Sequence, residues 1–107
     1  MIYVDLDTDL NAPETSDGAL DWTGVAHLLD IPGAAPELAA LGPRRPMPRP
    51  HEVPFLAAAN IAPAERATID RLGLPVIALS DVVADVGAAA KSATDWAASF
   101  ERLLIHA

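Results

Sequence analysis

The sequence predicts a small α/β domain of three layers around a three-stranded, mostly parallel sheet, with elements in the order β-α-α-β-α-β-α-α. Three observations predict it. Ile2, Val4 and Leu6 alternate with Tyr3, Asp5 and Asp7, a period of two that marks a strand with one buried face. Two short apolar runs, Val53 to Ala59 and Leu74 to Leu79, flank a helical segment of about the minimal crossover length. Elsewhere the apolar residues recur at spacings of three and four, the period of helices packed on one side.

The elements follow in order. Aspartate is poor inside strands, so the first strand should end near Leu6, with residues 7–17 running on as a polar loop. Ala19 or Asp21 opens a helix carrying Trp22, Val25, Ala26, Leu28 and Leu29, and Pro32 with Gly33 stops it. Pro36 suits the first turn of a short helix, Glu37 to Leu41, capped by Gly42. Residues 43–50, PRRPMPRP, hold four prolines and favour a stiff, extended connector within a single domain spanning 1–107. After the second strand, Pro63 opens a helix through Ala67, Ile69 and Leu72, and Gly73 closes it. Both flanking strands look buried on two faces, so a parallel pair with a right-handed crossover follows. Ser80 caps a helix through Val82, Val83 and Val86 that continues or breaks near Gly87. Ser92 or Thr94 starts a last helix presenting Trp96, Phe100, Leu103 and Leu104.

Composition narrows the function classes. The 107 residues suit one domain, and half of them are apolar, which excludes disorder as the default. Alanine fills 22 positions and only five are aromatic, so the core is made of small side chains that each bury little area. Without cysteine there is no disulfide framework and no thiolate metal site. No apolar run reaches membrane-spanning length and no basic leader precedes the first strand, so the expected compartment is the cytoplasm, with no membrane association. Charge is segregated: residues 1–42 carry eight acids and no Lys or Arg, whereas residues 43–71 carry five arginines and three acids. A net charge of −8 disfavours direct nucleic-acid binding, since that affinity comes from neutralising phosphates. A basic protein partner or a bound cation complements the acidic front.

In an open parallel sheet, ligands bind outside the carboxyl ends of the strands. Asp5 and Asp7 end the first strand, Asn60 the second, and Ser80 with Asp81 the third. Those groups can coordinate a cation or hold a phosphate, with Asn60 and Asp81 as candidate cofactor contacts. They also suit ordinary turn and capping chemistry. His27, His51 and His106 lack any ligand spacing, and His27, among apolar helix positions, reads as a structural histidine. Asp5-Leu6-Asp7-Thr8-Asp9 begins like a calcium loop, but Leu10 stands where that loop needs glycine and Ser16 where it needs glutamate.

Val4-Asp5-Leu6-Asp7-Thr8 resembles the first motif of the haloacid-dehalogenase-like phosphatases, an apolar strand ending in Asp-x-Asp-Gly-Thr. Val76-Ile77-Ala78-Leu79-Ser80 resembles their second, a Ser or Thr ending an apolar strand. The resemblance implies Asp5 as phosphoryl-accepting nucleophile, Asp7 as acid/base, Ser80 as a further catalytic residue, and Mg²⁺ held by Asp5 and Asp7. Thr8 and Asp9 depart from the motif's glycine and threonine, and Lys91 has no matching context. Ile2-Tyr3-Val4-Asp5 is also similar to the opening of PIN-domain nucleases, which implies carboxylates converging on Mg²⁺.

No catalytic motif is complete, so the expected function is that of a small acidic, non-enzymatic interaction protein, regulatory in character. An inhibitor, an antitoxin- or immunity-like factor and an accessory subunit all fit, acting on a protein partner without a cofactor. A Mg²⁺-dependent phosphohydrolase using Asp5 and Asp7 is the alternative. Arg44, Arg45 and Arg49 either fold back onto the acidic front or present a docking strip to the partner. The C-terminal apolar stripe packs on the sheet or forms the seam of a homodimer.

Overall fold

A computed structural model describes residues 1–107. The alternation at the start of the chain makes a strand, β1 (Ile2–Val4), on which the sheet is built. Two short helices follow, α1 (Gly24–Leu28) and α2 (Pro36–Ala39). The crossover unit is β2 (Phe55–Ala58), α3 (Pro63–Leu72) and β3 (Val76–Ala78). Helices α4 (Leu79–Ala84) and α5 (Val86–Ala97) come next, and a two-residue strand, β4 (Ile105–His106), ends the order.

The sheet therefore has four strands rather than three, all parallel, in the order β3-β2-β1-β4. The extra strand comes from residues expected to continue the last helix. Helix α5 stops at Ala97, and the Leu104 carbonyl accepts the Ile2 N–H at 2.8 Å, drawing Ile105 alongside β1. Leu103, Leu104 and Ile105 consequently lie off any helix, and the expected helical stripe ends before them.

Register assigns the faces. Tyr3 pairs with Phe55 and Phe55 with Val76, so these side chains share one face of the sheet. There they pack with Val25 and Ala26 of α1, Leu29, Ile31 and Ile69 of α3 in a single buried cluster. Phe55 is wholly buried, which contributes about 1.5–3 kcal/mol. Tyr3 and Phe55 meet edge-on, with centroids 5.7 Å apart. Ile2, Leu56 and Ile77 occupy the opposite face, where they border a cavity of about 250 Å³ with Ser92, Ala93 and Trp96 of α5. Only Ala89 of that helix is buried.

Local chemistry fixes the helix ends. Proline opens α3, the Glu65 carboxylate accepts the Ala62 N–H at 2.9 Å, and Gly73 closes the helix at φ 63°. The third strand ends earlier than Ser80: Ala78 is the cap of α4, and Asp81 accepts its N–H at 3.3 Å. The α4–α5 break falls at Asp85, whose carboxylate accepts the Ala88 N–H at 2.9 Å, rather than at Gly87. Helix α1 begins only at Gly24, so Trp22 stays on the loop before it. Ala57 adopts φ 70° at an irregularity in the β2–β3 register, a strained conformation for a residue with a Cβ.

Residues 43–49 of the proline-rich stretch are free of helix and strand and fold back on the domain, and Pro50 opens a 3-10 turn, Pro50–Glu52. The Met47 N–H donates to the Leu28 carbonyl at 3.0 Å, and Arg45 grips Asp30 through two bonds of 2.7 Å. No helix is long and apolar enough to cross a membrane.

Candidate active site at the end of the first strand

The chain runs from β1 outward through β2 to β3, then returns to place β4 on the other side of β1. Such a reversal opens a crevice at the carboxyl ends of β1 and β4, the place where parallel sheets hold ligands. The aspartate-rich loop after β1 lies at this point.

Several bonds shape that loop. The Asp5 carboxylate accepts the Asp7 N–H at 3.3 Å, a local turn that aspartate favours. The Leu6 carbonyl accepts the N–H groups of Ala59 and Asn60, both at 2.8 Å, which ties the loop to the end of β2. Thr8 is fully buried and its hydroxyl donates to Glu65 Oε1 at 2.7 Å. The Leu10 N–H donates to the same oxygen at 3.2 Å. Glu65 is 4% exposed and is thus satisfied by three neutral donors, with no cation beside it. Asp9, at φ 51°, accepts the Tyr3 hydroxyl on its carboxylate, while its carbonyl accepts the Ala26 N–H at 2.9 Å.

Asp7, Asp9, Asn11, Trp22 and Glu65, with Thr15 and Ala62 at the edges, enclose a cleft of about 290 Å³. No Lys, Arg or His lines it. Burial pushes the Asp9 carboxyl above the usual aspartate range; Asp5 and Asp7 add to the rise, against the Tyr3 hydrogen bond and His106. Burial likewise pushes the Tyr3 hydroxyl up, reinforced by Asp9. Tyr3 is also stacked on His106 of the edge strand β4, with centroids 4.2 Å apart and an 11° interplanar angle, so β1 and β4 both contribute to this corner.

The sequence-predicted residues separate into groups. Asp5 and Asp7 do close the first strand, and Asn60 reaches them through its backbone bond to Leu6. Ser80 lies in the first turn of α4, on a different crevice that it shares with Ala58, Ile61, Arg66 and Val83. Asp81 is engaged as the cap of its own helix. Of the arginines, Arg45 neutralises Asp30 in the acidic front, Arg44 pairs with Glu52 at 2.7 Å, and the Arg49 N–H donates to Glu52 at 2.6 Å. Sequence reasoning missed Asp9, Asn11, Trp22 and Glu65 as lining residues. The Asp-x-Asp-x-Asp run was a signal for Asp9; Glu65, distant in sequence, read only as part of a helix start.

Carboxylates at positions 5, 7 and 9 are oxygen donors of the kind that divalent cations take. No three Asp, Glu, His or Cys side chains gather closely enough to hold an ion.

The fold and the site define a parallel α/β unit with an acid-lined cleft beside the loop leaving its first strand. Its architecture is that of arginases. An arginase structure from Bacillus subtilis superposes with a TM-score of 0.87 at 21% identity, covering 97% of this chain and 37% of that one. A structure of arginase from Bacillus subtilis subsp. subtilis strain 168 gives 0.87 at 23%, over 97% and 36%. Bacillus caldovelox arginase gives 0.84 at 20%, over 98% and 35%. The chain thus spans little more than a third of the length of these structures, and at such identities the likeness establishes the fold alone. No protein-family model matches the sequence, and no curated protein matches it.

This likeness corrects two expectations. The structural neighbours are enzymes, which overturns the reading of a non-enzymatic, regulatory interaction protein. That reading took incomplete linear motifs as an absence of chemistry and took charge segregation as a docking signal. Two of the charges are spent inside the molecule, on Asp30 and Glu52. The expectation of no cofactor followed from the same reading and falls with it.

Proposed function

We propose that the chain carries the strand-end portion of a hydrolase site of the arginase kind, whose cleft receives the cationic guanidino group of an arginine-like substrate. One observation carries the reading. An acid-lined cleft without a basic residue adjoins the loop leaving β1 and the start of α3, in a fold shared over nearly the whole chain with the arginase structures. Carboxylates in a partly desolvated recess attract a cation more strongly than they do in bulk water. Asp7 and Asp9 draw in the guanidinium, and Asn11 adds a neutral hydrogen-bonding group beside them. Asp5 and Asp7, on the same turn, are the donors this reading assigns to a divalent cation. When bound, such an ion supplies an activated water for hydrolysis. Glu65 and Tyr3 act behind them, holding the loop and the Asp9 carboxylate in place.

Urea release from arginine, measured with Mn²⁺ or Mg²⁺ added, tests the proposal. Wild-type protein should release urea only with metal, and Asp7→Asn should lower the rate at least about 10-fold. No urea above the metal-only blank, or equal rates in the two proteins, removes the hydrolase reading.

A further inference from the structure

Trp22 occupies an unusual position. Helical spacing places it in the apolar stripe of α1, yet that helix begins two residues later and leaves the indole 54% exposed. An exposed tryptophan forgoes the burial that a residue of its size gains elsewhere. Here it forms a wall of the cleft that also holds Asp7, Asp9 and Glu65. Its backbone is fixed, since its carbonyl accepts the Asn11 N–H at 3.2 Å. A tryptophan and carboxylates lining one cleft, with no Lys, Arg or His among them, suit the recognition of a delocalised or alkylated cation. The carboxylates supply charge and the ring supplies a face on which a planar cation packs. At about 290 Å³ the cleft is near the lower end of ligand pockets, large enough for one amino-acid-sized molecule.

We infer that Trp22 is the specificity-determining platform of the cleft, on which the cationic head of the ligand packs; the inference rests on the guanidino-ligand reading above. It selects charge together with shape, so arginine should bind and its neutral isostere citrulline should not.

Calorimetric titration of the metal-loaded protein with arginine and with citrulline tests this, alongside urea release. Trp22→Leu should weaken arginine binding about 2- to 30-fold, the range of a cation–π contact. Trp22→Phe should recover part of the loss. Both variants should melt as the wild type does, since the indole is mostly solvent-exposed. Equal arginine affinity in wild type and Trp22→Leu overturns the platform even if urea is formed, leaving the hydrolase reading intact. Arginine binding that depends on Trp22 without any urea has the opposite meaning: it supports the platform and removes the hydrolase. Failure of the wild type to bind arginine, or equal affinity for citrulline, overturns the platform.

Discussion

The two faces of the sheet are made from the same kinds of residue and are packed very differently. On one, Tyr3, Phe55, Val25, Ala26 and Ile69 fill the space completely. On the other, α5 lies over Ile2, Leu56 and Ile77 with a cavity of about 250 Å³ left between them. The dense face also carries the candidate site, because Tyr3 and α3 belong to it and hold Asp9, Thr8 and Leu10. Tight packing here serves placement: a carboxylate stays put only if what holds it cannot move.

The largest test of this contrast is Phe55→Ala. It should destabilise the protein by about 3–5 kcal/mol in denaturant melts, because a closed core cannot collapse around the void. A loss as small as that from trimming the α5 face would show the two faces to be equivalent. The next test applies one chemical change to both sides. Ala26→Leu should cost about 1–3 kcal/mol by overpacking a site with no room. Ala93→Leu should stabilise by about 0.5–2 kcal/mol by filling the cavity under α5. Shifts of the same sign would contradict the difference in packing.

The smallest effect is a pH dependence. The Asp9 pKa is raised in the folded protein, so the folded state binds that proton more tightly than the unfolded chain does. Its contribution therefore favours folding in acid and is lost as pH rises from roughly 4 through the raised value. Asp30 and Glu52, both lowered by arginine and backbone partners, act in the opposite direction over the acid range. The effect of Asp9 should thus appear as a difference: Asp9→Asn should lose less stability than wild type between about pH 4 and 7. Parallel pH profiles for the two proteins would place Asp9 in ordinary solvent.

Much of the fold was legible because local signals agreed with one another. The period-two start, Pro63 with Gly73, and the apolar runs of β2 and β3 gave the strand–helix–strand unit and its parallel pairing. The fourth strand was not legible, since two residues carry no period and Ile105 becomes a strand only by meeting Ile2. Of the site, Asp5 and Asp7 could be placed by the strand-end rule alone. Glu65 could not: 57 residues separate it from Thr8, and its role is set by tertiary contact. Trp22 misled because helical spacing ignores where a helix starts. Ser80 misled because the chain turned into α4 two residues early.

The bonds from Thr8 and Leu10 to Glu65 also join the acidic loop to a distant part of the chain. Residues 1–60 contain both aspartates of the cleft and the Tyr3 and Ala26 contacts that hold Asp9, but not Glu65, on which Thr8 and Leu10 converge. Closing a contact across 57 residues carries an entropic cost that these bonds help to offset. The acidic loop and the first turn of α3 are thus one mechanical unit: whatever loosens Glu65 also loosens Thr8 and Leu10.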